Sequence, residues 1–260
     1  MSLGPGTKAP PGFEQEDHEN ALKELKSRLS AKGLEVPRGM IIGDDLEGTL
    51  RRFLVARKYD MDLVDEMLSN AINWRNTEFK DSWLQTGDPN KLKELRSIIP
   101  VNPCFAYSKE GLPVMIQRIG KGSLNLATKY EDDAHLMLQV QRMEYETEVL
   151  FREATQRDGS LIDKGVSILD LDGVGLGSLK VKKIFGVINA VCACNYPERS
   201  RRIYLVNSPW IFSKIWGAIS MMIDPRTVAK MSILSKGPEQ TKALEKDLGL
   251  EDLPDFLGGA

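Results

Sequence analysis

The sequence predicts an α/β protein, with a small N-terminal helical lobe followed by a mixed, partly parallel β-sheet on which helices pack. Three observations carry that prediction. Residues 20–80 repeat apolar side chains at the helical period of about 3.6. Beyond about residue 95, short β-rich runs alternate with helical stretches, the order that builds parallel strands joined by helices. The chain is 260 residues long with 42% hydrophobic and 28% charged side chains, so it can build a large core and is not a disordered polymer.

Residues 1–18 are rich in Gly and Pro and are expected to form a flexible tail, with a helical lobe over 19–94 and an α/β domain over 95–260. In the lobe, Leu22, Leu25 and Leu29 mark one apolar stripe, and Gly33 follows as a stop. Leu46, Leu50, Phe53 and Leu54 mark a second, which ends in Arg57 and Lys58, cations suited to the negative end of a helix dipole. Asp60 is placed to cap a third helix that turns Leu63, Met67, Ala71 and Trp74 inward. Strands are predicted over 113–119, 166–171, 202–207 and 231–234, and helices over 131–154, 178–193 and 211–222.

A net charge of −2 argues against a dedicated nucleic-acid binder. Three Cys and two His are too few for a disulfide framework, and Cys192-x-Cys194 has no histidine near it, so no metal is expected and the thiols read as buried and reduced. The N-terminus lacks the apolar core of a signal peptide, and no apolar run reaches the roughly 18 residues of a membrane span, which points to the cytosol.

One stretch resembles the first motif of haloacid-dehalogenase-type phosphatases: Asp170-Leu171-Asp172-Gly173 at the end of an apolar strand. That magnesium-dependent chemistry needs a nucleophilic Asp, a second acid and a later acidic pair. Only scattered acids follow (Asp247, Glu251 and Asp252), so a turn at Asp172-Gly173 is the preferred reading. Gly173, Gly175 and Gly177 are not spaced as a dinucleotide loop. His18 falls in the tail and His135 on a surface-like helical position, so histidine catalysis is not expected.

The segment from Pro209 to Pro225 is more informative. Trp210, Phe212, Ile215, Trp216, Ile219, Met221, Met222 and Ile223 put apolar groups on most of its circumference, with Lys214 as its one charge before Asp224. Such a helix is either buried or meets something other than water. Glu198, Arg199, Arg201 and Arg202 precede it, and Arg226, Thr227 and Lys230 follow. Cations and hydroxyls beside an oily helix suit a ligand with a phosphate head and apolar tails.

Several segments together resemble the CRAL-TRIO lipid-transfer family, in particular its Sec-fourteen-type phosphatidylinositol/phosphatidylcholine transfer branch. They are LRRFLVARKYDMDLVDEMLSNAINWR at 50–75, EGLPVMIQRIG at 110–120, VSILDLDG at 166–173, NYPERSRRIYLVNSP at 195–209, IDPRTVAKMSIL at 223–234 and LPDFLGG at 253–259. The resemblance implies a helical lobe on an α/β domain whose apolar lipid pocket is closed by a gating helix. Gate and acyl pocket map to Trp210, Phe212, Ile215, Trp216, Ile219, Met222, Met231 and Ile233. A phosphoinositide headgroup site maps to Arg57, Lys58, Glu198, Arg199, Thr227 and Lys230, with Glu198 accepting from inositol hydroxyls or orienting Lys230. The family's polar pair on the central strand appears here as Gly165 and Ser167, and its aromatic on the first strand as Met115. Ser167 remains to hold the head of a second lipid, which is a different phospholipid, a sterol or another hydrophobe. The implied protein is a non-enzymatic, cofactor-free, monomeric carrier. It is cytoplasmic, transiently membrane-bound, at Golgi or endosomal surfaces, and its ligands are phosphatidylinositol and a second lipid. A carrier of a sterol or isoprenoid is the alternative.

Overall fold

In the computed structural model the described residues are 15–77, 79, 90, 93–94, 97, 101–121, 132–174, 181–249 and 252–259. Among them the helices are α1 Gln15–Ala31, α2 Leu46–Ala56, α3 Met61–Thr77, α4 Asp132–Tyr145, α5 Phe151–Asp158, α6 Val181–Asn195, α7 Phe212–Ser220, α8 Pro225–Val228 and α9 Pro238–Leu244. The strands are β1 Val101–Tyr107, β2 Pro113–Gln117, β3 Gly165–Asp170, β4 Ser200–Val206 and β5 Met231–Ile233. The chain divides into two compact units. The first draws on Met1–Gln85, Met143–Asp163 and Val191–Arg199, and the second on Thr86–Arg142, Lys164–Ala190 and Ser200–Ala260.

The first unit is built on α1, α2 and α3. Leu22, Leu25 and Leu29 meet Leu50, Phe53 and Leu54 and Val64, Met67, Leu68, Ala71 and Ile72 in one apolar cluster. Two predicted members of those stripes differ. Leu46 lies outside the core, and Leu63 is 48% exposed. Asp60 does cap α3, accepting the Leu63 N–H at 3.2 Å. Leu63 therefore sits in the first turn on the solvent side, and the buried stripe starts one residue later, at Val64.

α1 stops at a left-handed Gly33, φ 62°, where Leu34 N–H donates to the Leu29 carbonyl and Gly33 N–H to that of Ser30, both 3.0 Å. Its start differs from expectation: residues 15–18 are helical rather than tail, because His18 is buried against Tyr59 with the Tyr59 hydroxyl 2.6 Å from Nδ1. The rest of the expected tail lies outside the described residues.

A π-helical turn, Glu146–Leu150, and α5 complete this unit with residues 191–199. They carry a buried polar cluster. Arg75 grips Glu144 with two bonds, 2.5 and 3.2 Å, and the Tyr196 hydroxyl donates to the same carboxylate at 2.6 Å. Burial, reinforced by Glu144, holds the Tyr196 phenol well above its ordinary value, so it stays a donor. Neither thiol of the C-x-C is in a disulfide, and Cys192 is half-buried and Cys194 exposed, not the buried pair expected from sequence.

The second unit holds a five-stranded sheet in the order β1-β2-β3-β4-β5. β1 runs antiparallel to β2, and β2, β3, β4 and β5 are mutually parallel. The sequence reading missed β1, whose Pro103 reads as a breaker. An edge strand tolerates proline, and the pairing is irregular between Asn102 and Ala106. The register aligns Met115 with Ser167, Ser167 with Ile203 and Ile203 with Met231, so these four form one row across a face.

The two faces differ. Along β3, Val166, Ile168 and Asp170 are sealed, whereas Gly165, Ser167 and Leu169 stay part-exposed. The C-terminal segment packs the sealed face: Tyr204 donates to Asp247 at 3.0 Å, and Arg202 pairs with that carboxylate at 3.2 Å.

Candidate functional site

A parallel sheet is normally covered on both faces. Among the described residues, β3, a central strand, has one face sealed and the other part-exposed. That face is mostly oily. Met115, Leu169, Ile203, Leu205, Met231 and Ile233 share it with the single hydroxyl of Ser167, and Ile233 is 38% exposed. Arg142 reaches the row from α4, its Nη1 2.9 Å from the Met115 sulfur and its Nε 3.3 Å from the Gln139 carboxamide. The sequence reading passed over Arg142, because a lone cation on a polar helix face gives no signal until the register puts Met115 beneath it.

One end of this face lies under α7. Phe212 is buried with Leu171, Val174 and Leu205, while Trp216 and Ile219 pack part-buried on that cluster beside Leu169 and Ile119. The rings of Phe212 and Trp216 stand 5.9 Å apart. The side chain of Ile215 lies outside the described residues. The flanks of α7 face water: Trp210 is 74% exposed, with the Lys214 ammonium 5.0 Å from its ring centre, and Met221 is 82% exposed. Met222 is exposed as well, and its carbonyl accepts from the Asn189 amide at 2.8 Å. The segment thus resolves the ambiguity of its composition by burying one stripe and leaving its two ends uncovered.

The residue before α7's connection is held firmly. Asn207, at φ 50°, gives its amide to Asp170 at 2.9 Å, and its N–H to the Gln240 carboxamide at 2.7 Å. Asp170 is fully buried and also accepts from Arg118 Nε at 3.1 Å and from the Asp172 N–H at 3.0 Å. Arg118 in turn lies 4.0 Å over the Phe256 ring. A carboxylate that accepts three bonds in a sealed site ties β3 to its neighbours. Asp172-Gly173 is the expected turn, with Gly173 at φ 95°. A side chain on Gly120 would strike the Asp172 carbonyl, so backbone meets backbone where a nucleotide would need room.

The predicted headgroup residues fall in both units. In the second, Asp224 caps α8 by accepting the Arg226 N–H at 2.8 Å. Burial opposes ionisation of Asp224, but the bonds and charge of Arg226 outweigh it and hold the carboxyl low. Thr227 lies on α8, and Lys230 ends the turn after it. The Lys230 carbonyl accepts the Ile203 N–H at 3.0 Å, which sets Lys230 next to Met231 at the edge of the row.

In the first unit, Arg57 is the C-cap of α2, and exposed Lys58 follows at φ 52°. Glu198 is part-buried, also left-handed at φ 57°. Arg199 is buried, bonded to Thr147 and to the Met143 carbonyl, and its ring-facing contact is Tyr196 at 4.8 Å. Burial, together with the nearby Arg52 cation, pushes its guanidinium down to about 10.

The sheet is thus sealed on one side and, on the other, part-exposed and mostly apolar beneath a short apolar helix. The chain belongs to the CRAL/TRIO domain family, which it matches over residues 102–259. It is 32% identical over 261 residues to the SEC14 cytosolic factor of Yarrowia lipolytica, a match that covers 96% of this chain and 49% of that protein. It is 31% identical over 258 residues to the SEC14 cytosolic factor of Candida glabrata, covering 98% and 81% respectively. A third relative, the phosphatidylinositol/phosphatidylcholine transfer protein SFH12 of Arabidopsis thaliana, is 30% identical over 212 residues, covering 80% of this chain and 38% of that one. The chain therefore spans about half the length of the Yarrowia relative. The crystal structure of Sfh5 superposes with a TM-score of 0.71 at 17% identity over 88% of this chain and 84% of that one, the same fold. No helix among the described residues is long and apolar enough to cross a membrane.

Proposed function

We propose that this protein binds phospholipid, takes phosphatidylinositol from a membrane in exchange for a second lipid, and moves or presents it, with no bond made or broken. The observation that carries the reading is the part-bare apolar face of β3 and β5 beneath α7. The names of the relatives point the same way. The physical need is large. Moving a methylene from water to an apolar site is worth about 0.8 kcal/mol, so exposing a two-chain lipid with roughly 30 of them costs about 24 kcal/mol. An apolar face that replaces water along the route removes that barrier.

α7 serves as the gate in this reading. Trp210, Met221 and Met222, exposed in water, gain a favourable environment at a bilayer, which supplies the energy to open it. Membrane contact is then transient and made from the cytosol. Arg57, Lys58, Glu198, Thr227 and Lys230 serve phosphate and inositol oxygens, an assignment supported by residue type and order in the chain. Arg199, held by Thr147, fixes the left-handed turn that presents Glu198.

Native mass spectrometry of the purified protein, followed by transfer between vesicles, tests the proposal. A bound mass equal to one phospholipid and exchange of labelled phosphatidylinositol are expected. A bare protein mass and no exchange would end it, and a bound sterol mass would replace it. Lys230→Ala combined with Glu198→Ala should abolish phosphatidylinositol exchange with an unchanged melting temperature. Exchange at the wild-type rate would remove the headgroup assignment.

A further inference from the structure

Two helices of the first unit, α1 and α2, end in the same backbone turn, and only one of the two has the residue that the turn favours. At the end of α1, Leu34 N–H donates to the Leu29 carbonyl and Gly33 N–H to that of Ser30, both at 3.0 Å. At the end of α2, Tyr59 N–H donates to the Leu54 carbonyl at 2.9 Å and Lys58 N–H to that of Val55 at 3.1 Å. These are the paired bonds of a Schellman cap, whose turning residue is left-handed. Glycine adopts that conformation freely because it has no Cβ, and α1 places Gly33 there at φ 62°. α2 places Lys58 there at φ 52°, and Tyr59 follows at φ 64°. Two successive left-handed residues with side chains are disfavoured, and they persist only where their surroundings hold them.

Tyr59 supplies part of that hold. It is buried in the core that α1, α2 and α3 share. Its hydroxyl is 2.6 Å from His18 Nδ1, and its ring meets the imidazole edge-on at 4.8 Å. Burial pushes the phenol up to about 12, so it stays a hydroxyl able to donate to the imidazole. Asp60 closes the turn from the other side: its N–H donates to the Arg57 carbonyl at 3.0 Å, while its carboxylate caps α3. Lys58 itself is exposed and adds nothing to the core. Nor does the helix dipole need it, since Arg57 already sets a cation at the C-cap of α2. What a lysine brings that glycine does not is an ammonium next in the chain to that guanidinium, two cations suited to charge-assisted bonds with phosphate oxygens.

We infer that α2 ends in a strained presenting turn: Tyr59, anchored on His18, is a positioning residue that holds Lys58 left-handed so that its ammonium meets a phosphate oxyanion, and the protein is less stable for it. The inference rests on the carrier reading. It adds to that reading how one headgroup cation is held and what holding it does to stability.

Exchange of labelled phosphatidylinositol between vesicles and the melting temperature, both measured on the full chain, test it. Lys58→Gly should raise the melting temperature by about 2 °C, because glycine relieves the turn, and should lower exchange at least fivefold. Lys58→Arg should recover most of the exchange without that gain in stability. Tyr59→Phe should lower both. In the Lys58→Gly background, Tyr59→Phe should still lower the melting temperature but remove little further exchange, a coupling that a merely structural tyrosine would not show. No rise in melting temperature for Lys58→Gly would mean that the turn is not strained. Wild-type exchange by that variant would mean that Lys58 does not meet the phosphate. Equal losses of exchange from Tyr59→Phe in the two backgrounds would make Tyr59 a packing residue only. Any of the three overturns the inference and leaves the carrier reading standing. If the wild type exchanges no phosphatidylinositol, the carrier reading fails and the inference with it.

Discussion

The two faces of the sheet are made by the same strands, yet they have opposite duties. On one, Val166, Ile168, Tyr204 and Val206 are buried, and Tyr204 is bonded to Asp247. On the other, Ser167, Leu169, Met231 and Ile233 are left part-open, although three of the four are apolar. The alternation of a strand makes this division possible, since neighbouring residues point to opposite sides. One set of positions carries stability and the next, in the function proposed, faces the lipid, with no extra element required.

That contrast can be broken at its strongest point first. Ile168→Ala, at a fully buried site, should cost about 2–5 kcal/mol in denaturant unfolding. A loss below about 1 kcal/mol would mean that the sealed face is not what holds the unit together. Asp170→Ala should cost about 2 kcal/mol, less than a wholly buried ion pair because Arg118 is partly exposed. If the wild type hydrolysed phosphate esters with magnesium and this variant did not, the structural role assigned to Asp170 would be wrong.

On the open face the expectation reverses. Met231→Ser should change the stability of lipid-free protein little, yet weaken lipid binding by about 1–2 kcal/mol, roughly tenfold in occupancy at limiting lipid. Equal losses of stability and binding would erase the distinction between the faces.

The smallest effect lies outside the sheet. Burial, with help from Arg51, holds the His18 imidazole below its ordinary 6.5. The unfolded chain therefore takes up the proton first, and the contribution is complete above about pH 6.5 and lost as pH falls below it. The melting temperature should fall more between pH 7.5 and 5.5 in wild type than in His18→Gln, by roughly a degree or two. Identical pH profiles would show that His18 binds its proton equally in both states.

Much of this architecture was legible in the sequence, and for identifiable reasons. β-branched and apolar runs marked β2, β3, β4 and β5 to within two residues at each end, since such residues favour a pleated strand. β1 escaped because Asn102 and Pro103 look like loop residues, and only the edge position makes them acceptable in a strand. Leu63 was misread because spacing alone does not say on which side of Asp60's cap the buried stripe begins. His18 was misread because its burial depends on Tyr59, forty-one positions away. The apolar character of α7 was plain, whereas the clamp of Asp170 and Gln240 on Asn207 is a product of tertiary geometry with no local signature.

The contacts that Gln240, Asp247 and Phe256 make with earlier strands have a consequence for how the protein is made. Tyr204 waits for Asp247, Asn207 for Gln240 and Arg118 for Phe256. A ribosome delivers Gln240, Asp247 and Phe256 after the strands they bond to, so during synthesis the back of β4 stays uncovered until they emerge. Until then apolar side chains of the sheet are uncovered on both sides, the condition in which a partly made domain is prone to aggregate.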